Sequence, residues 1–131
     1  MNKSLKIILL GIGFFGMTNL LQAQTAWVAS SDSDQLKNPF ANNEDAIKSG
    51  KKLYAQFCTI CHGDKGKGDG MAGAALKPKP ANFALESIQS QTDGAIFWKL
   101  SEGRSPMAAY KGMLSEEQRW QLVSYIRTLK K

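Results

Sequence analysis

Cys58-Thr59-Ile60-Cys61-His62 gathers both cysteines and the single histidine of the chain into five consecutive residues. Two thiols three residues apart occupy neighbouring positions of one helical turn. That spacing suits two thioether bonds to the vinyl groups of a haem, and C-x-x-C-H is the signature of this attachment. The imidazole that follows is then held beside the iron as its proximal ligand. Other chemistries fit these residues less well. A disulfide across two intervening residues closes a very small loop and stabilises little. A thioredoxin-like dithiol needs a strand leading into a helix, and no strand pattern precedes Cys58. A zinc site takes four ligands, more than the N and S donors of this cluster supply.

With one histidine in the chain, a second axial ligand from it cannot be histidine. Methionine, a neutral soft donor, favours ferrous iron and raises the reduction potential. Beyond the N-terminal segment the methionines are Met71, Met107 and Met113. Met71 lies in the loop just after His62 and is poorly placed for the opposite haem face. Met107 and Met113 both remain within reach, although flexible Met also serves as core filler.

The elements that must position these groups are short helices. Residues 1–23 read as a secretory signal peptide: Lys3 and Lys6 precede a mostly apolar run from Ile7 to Leu21, and small Ala23 marks the cut. The apolar run is shorter than the roughly 20 residues needed to cross a bilayer, and no Cys follows it to carry a lipid. The implied compartment is periplasmic or otherwise exported, with no stable membrane insertion once the signal is removed. Residues 24–42, polar and serine-rich, read as a flexible linker or extended arm; Trp27 and Phe40 could each dock on the domain surface, with a mobile tail as the plainer reading. A first helix is expected from Asn42 or Asn43, capped by Asn with Glu44 and Asp45 behind it. Ile47, Gly50, Tyr54 and Phe57 share one face of it. Gly50 costs about 1 kcal/mol against Ala in mid-helix, a cost that a close helix crossing justifies. Gly63 to Gly73 is a Gly-rich loop, and Pro78 and Pro80 forbid a regular helix around them. A second helix is expected from Ser90 or Thr92 to Gly103. The last begins at a Ser115–Gln118 capping box and buries Trp120, Val123, Ile126 and Leu129, with Arg127 placed to suit its negative end.

The fold class is therefore all-α: three or more short helices joined by long loops, in one domain over residues 43–131. So small a chain buries only a modest apolar core, and a haem supplies what is missing. Of 17 basic residues Lys3 and Lys6 belong to the leader, so the excess over 11 acidic residues shrinks from +6 to +4. This is too little to argue for nucleic acid, and no aromatic–basic interleaving points that way.

From about Asn43 onward the chain resembles the class I, mono-haem cytochromes c. The matching blocks are CTICHG, the Gly-rich loop, KPKPANF, FWKLSEGRSPMAAY and LSEEQRWQLVSYIRTL, in that order. The resemblance implies a cytochrome c fold wrapped around one covalently bound haem c and its iron, with the first and last helices crossing near Gly50 and the Trp120–Tyr125 face. It places the distal ligand at Met107, with Met113 in reserve. Pro106 precedes Met107 here, where relatives often carry Pro after the ligand. The resemblance also suggests a backbone carbonyl of the Lys77–Pro80 stretch, Pro78 first, as partner of the His62 ring. Tyr54, Trp98, Arg104 and Tyr110 are candidates for the haem edge or propionates, with packing or solvation as the plain alternative.

Seven lysines, at 48, 51, 52, 65, 67, 77 and 79, bracket the haem motif. A basic rim of this kind attracts redox proteins with acidic docking surfaces, though a solvated face explains it equally well. The expected function is single-electron transfer between such partners by a monomeric carrier, or by the electron-accepting subunit of an oxidoreductase complex. A catalytic or gas-sensing haem protein is the competing class. It needs an open axial position and a distal acid–base group, and no second His exists for that role.

Overall fold

The computed structural model describes residues 26–130, so the signal peptide read at 1–23 lies outside the described residues. Among the described residues there are five α-helices and no named strand, in line with the all-α expectation. The helices are α1 (Glu44–Phe57), α2 (Thr59–His62), α3 (Glu86–Gln89), α4 (Asp93–Glu102) and α5 (Glu116–Arg127). Short 3-10 turns cover Ser31–Gln35 and Gly73–Ala75. No helix among the described residues is long and apolar enough to cross a membrane.

The helix starts follow the capping logic of the sequence. The Asn43 side chain accepts from Ala46 N at 2.9 Å, and Thr92 Oγ1 accepts from Ala95 N at 3.0 Å. Ser115 and Gln118 form both halves of a capping box, which satisfies two N–H groups that the helix itself cannot.

α1 and α5 cross at Gly50. A side chain there would run into the Gln121 carbonyl and the Tyr125 Cβ, so the glycine that weakens α1 locally is what lets the backbones meet. Around the crossing, Tyr54, Leu100, Leu114, Leu122 and Tyr125 form one buried cluster, with Cys58, Phe83 and Met107 among the partly buried side chains packed against it. Ile96, Phe97, Trp120, Val123 and Ile126 form a second, in which Phe97 and Trp120 stack with centroids 3.9 Å apart. On α5 the expected face holds for Trp120, Val123 and Ile126, while Leu129 lies beyond the helix end and is half-buried.

Two elements differ from expectation. Residues 26–42, within the segment read as linker, lie against the helices. Ser33 is buried, Thr92 Oγ1 donates to Asp34 at 2.6 Å, and Asn38 and Phe40 both bond the Ser124 hydroxyl. Polar composition hid this docking, because it is made by single side chains and not by an apolar face. Arg127, expected to serve the α5 dipole, instead reaches the start of α4. Its guanidinium donates to Asp93 Oδ1 at 2.6 Å and to the carbonyls of Gln89 and Gln91 at 2.8 and 2.5 Å.

Candidate haem-attachment site

Cys58 is the joint between α1 and the single turn of α2. The Cys58 carbonyl accepts from His62 N at 2.8 Å, which holds the C-x-x-C-H segment in one tight turn. A helix end leaves carbonyls unpaired, and the Gly-rich loop returns to pair these. Gly68 N donates to His62 O at 2.8 Å, Gly70 N to Cys61 O at 3.1 Å and Ala72 N to Ile60 O at 2.9 Å. Gly63 turns the chain out of α2 at φ 76°, a left-handed angle that favours glycine. Its carbonyl accepts the hydroxyl of buried Tyr54 at 2.8 Å.

Both cysteines are free and half-buried. Burial, with Cys61 adjacent, pushes the Cys58 thiol up to about 12. A dithiol oxidoreductase depresses such a thiol to obtain its nucleophile, and the shift here runs the other way. Among the described residues no three His, Cys, Asp or Glu side chains converge as a metal-binding group. An open cleft of about 620 Å³ lies beside Thr59, Ile60, Lys65, Lys67 and Met71, and none of Cys58, Cys61, His62 and Met107 lines it.

His62 is oriented by its ring nitrogen Nδ1, which sits 3.2 Å from the Ala81 carbonyl oxygen. A carbonyl only accepts, so Nδ1 carries the hydrogen and Nε2 keeps its lone pair. Burial holds the imidazole below its usual pKa, against the raising effect of the Ala81 bond. The ring is therefore neutral and directed, as a metal ligand must be. Ala81 replaces the expected Pro78. Phe83 N bonds Gly66 O at 2.7 Å and Phe83 stacks on the imidazole at 4.4 Å, which brings residue 81 to the ring and leaves Pro78 upstream. The block KPKPANF contained both residues, but spacing alone did not single out Ala81 or Phe83.

Met107 is half-buried and packs against the same cluster as Cys58. Met113 and Met71 are 56% and 85% exposed. Two backbone bonds, Met107 N to Arg104 O at 2.8 Å and Arg104 N to Met107 O at 3.1 Å, close the turn that carries Met107. Tyr110 ties that segment to α1 through Phe57 O at 3.0 Å. Of the other edge candidates, Tyr54 is fully buried, Trp98 is half-buried, and Arg104 is exposed with its guanidinium 5.0 Å from the Trp27 ring centre.

The donor set fits haem c: two unpaired thiols in one turn, an imidazole with Nδ1 engaged, and a thioether packed on the same cluster as Cys58. An all-α shell carrying C-x-x-C-H in this arrangement defines a class I c-type cytochrome. Residues 45–126 match the family described as cytochrome C oxidase, cbb3-type, subunit III, and the chain belongs to that family. It is 29% identical over 80 residues to cytochrome c6 of Parathermosynechococcus lividus, covering 61% of this chain and 86% of the relative. The KustC0563 c-type cytochrome superposes with a TM-score of 0.54 at 32% identity, covering 63% of this chain and 98% of that one. The Kuenenia stuttgartiensis reducing HAO-like protein complex Kustc0457/Kustc0458 gives 0.64 at 25% identity over 73% of this chain, but the match spans only half of that chain. The protein is thus a haem-based electron carrier with the cytochrome c fold.

Proposed function

We propose that this chain carries one haem c, bonded through Cys58 and Cys61 and ligated by His62 and Met107, and passes one electron at a time between periplasmic redox proteins as an exported monomer. The observation that carries the reading is the Nδ1 contact of His62 with the Ala81 carbonyl, which leaves the Nε2 lone pair available for iron on the residue directly after Cys61. When bound, haem c supplies a one-electron ferric–ferrous couple. The chain's own residues do the rest. Cys58 and Cys61 hold the cofactor covalently, Ala81 fixes the imidazole, and Met107 favours the ferrous state as a soft neutral donor. The greater burial of Met107 supports it over Met113 and Met71. His62 and Met107 would together hold the iron through the chain's own side chains, which favours a carrier over a catalyst.

All seven lysines that bracket the motif are exposed. Among the described residues Lys48 alone of them makes an ion pair, with Asp45. This supports docking of acidic partners, and electron transfer to such a partner slows as ionic strength rises. The subunit description of the family supports a second reading, in which the same haem serves inside a larger complex.

Ligation is tested by the weak red absorption band of Met-ligated ferric haem. Met107→Ala abolishes the band and Met113→Ala keeps it. The reverse pattern overturns the assignment.

A further inference from the structure

The arm ahead of α1 does more than cover α4. Three anchors hold it before it reaches its described start: Asn38 and Phe40 on Ser124, Asp34 on Thr92, and buried Ser33 over Gly94. Beyond them Trp27 presents its ring to two cations that belong to different segments. Lys99, from α4, lies 5.8 Å from the ring centre and Arg104, from the Met107 turn, lies 5.0 Å from it. The two cations are close enough that Arg104, after burial, lowers the pKa of Lys99. Like charges at this spacing repel, and the negative face of an indole ring attracts both. Arg104 in turn exchanges both backbone bonds with Met107, so whatever holds Arg104 holds the turn.

We propose that Trp27 is a positioning residue for Met107: from the N-terminal arm it clamps Arg104, and with it the turn that carries the ligand. The inference rests on the ligand reading above. Because the arm is already pinned at three points, Trp27 gives up little freedom on docking. The clamp therefore acts locally, on the rate at which the Met107 turn opens, and the global stability is carried by the α1–α5 crossing.

The test uses the haem-loaded chain with Trp27→Leu, Trp27→Phe and Arg104→Gln. The leucine variant keeps apolar cover and removes the aromatic face, whereas the phenylalanine variant keeps a face. Amide exchange at Met107 N–H should rise about two- to fivefold in Trp27→Leu and Arg104→Gln, the size of an exposed cation–π contact. It should stay near wild type in Trp27→Phe, and combining Trp27→Leu with Arg104→Gln should add nothing further. In Trp27→Leu the red band should be lost at lower urea than the helical circular dichroism, whose midpoint stays unchanged. Equal behaviour of Trp27→Leu and Trp27→Phe, or a joint shift of both transitions, reduces Trp27 to cover and overturns the proposal. Met107→Ala separates the two failures. If it keeps the red band, the ligand reading falls and the positioning role falls with it. If it loses the band while exchange at Met107 in Trp27→Leu is unchanged, the clamp alone falls.

Discussion

Tyr110 donates its hydroxyl to the backbone carbonyl of Phe57 at 3.0 Å, so the segment that carries Met107 is tied directly to the residue before Cys58. The two rings also meet edge to face, with centroids 6.3 Å apart. One side chain thus couples the two halves of the candidate site.

Tyr110→Phe keeps the ring contact and removes the bond, leaving the Phe57 carbonyl without its partner. The expected loss is about 1 kcal/mol, read as a lower urea midpoint of the haem-loaded protein. The red band should weaken at lower denaturant than in wild type. An unchanged midpoint and band would show that the bond contributes nothing.

Gly50→Ala sets two effects against each other. Alanine gains about 1 kcal/mol of helix propensity, but its methyl meets the Gln121 carbonyl, and overpacking of this kind costs about 1–3 kcal/mol. Because the obstacle is backbone, it cannot swing aside. The variant should be less stable than wild type in urea unfolding, and a stabilised variant would mean the helices do not cross this closely.

Alkaline titration reads the tyrosines. Burial is the largest cause raising the pKa of Tyr54, Tyr110 and Tyr125 above the ordinary value of 10.0, and these are all the tyrosines of the chain. Unfolded, they ionise near their ordinary value of about 10. Above that pH the unfolded state binds fewer protons than the folded one, so stability falls as pH rises. The stabilisation from neutral phenols is complete below the unfolded pKa and lost as pH climbs through the folded ones. Tyrosinate ultraviolet absorption should therefore lag behind that of free tyrosine and appear together with loss of helical circular dichroism. Three reversible ionisations near the ordinary pKa in folded protein would contradict this.

Arg127→Lys keeps the charge and loses the planar fork. The Asp93 ion pair is about a quarter exposed on each side, which discounts its electrostatic worth. The carbonyls of Gln89 and Gln91 still lose their donors. A loss of about 1–2 kcal/mol is expected in urea unfolding, with helix content in the folded state unchanged. Wild-type stability would show that lysine reproduces all three contacts.

How much of this was legible in the sequence depended on whether a feature was local. Asn43, Thr92 and Ser115 act on N–H groups three residues away, so their caps could be read directly. C-x-x-C-H is likewise contained within one turn. Gly50 announced a close crossing because only contact justifies glycine at mid-helix. The missed features are non-local. Ala81 reaches His62 from 19 residues away through a loop set by the Gly66–Phe83 bond. The arm docks through scattered polar groups and the single rings of Trp27 and Phe40, which leave no periodic trace, and its composition therefore read chiefly as linker. Arg127 sits where a helix dipole alone would explain it, which masked its bonds to the segment ahead of α4.

The pyridine haemochrome spectrum of the purified protein, taken after acid–acetone extraction, measures covalent haem on Cys58 and Cys61 most directly. The expected result is one haem per chain that resists extraction and shows the spectrum of two saturated vinyl groups. Cys58→Ala should shift that spectrum toward a single thioether. Haem that extracts completely, or a purified chain without any, would contradict covalent attachment.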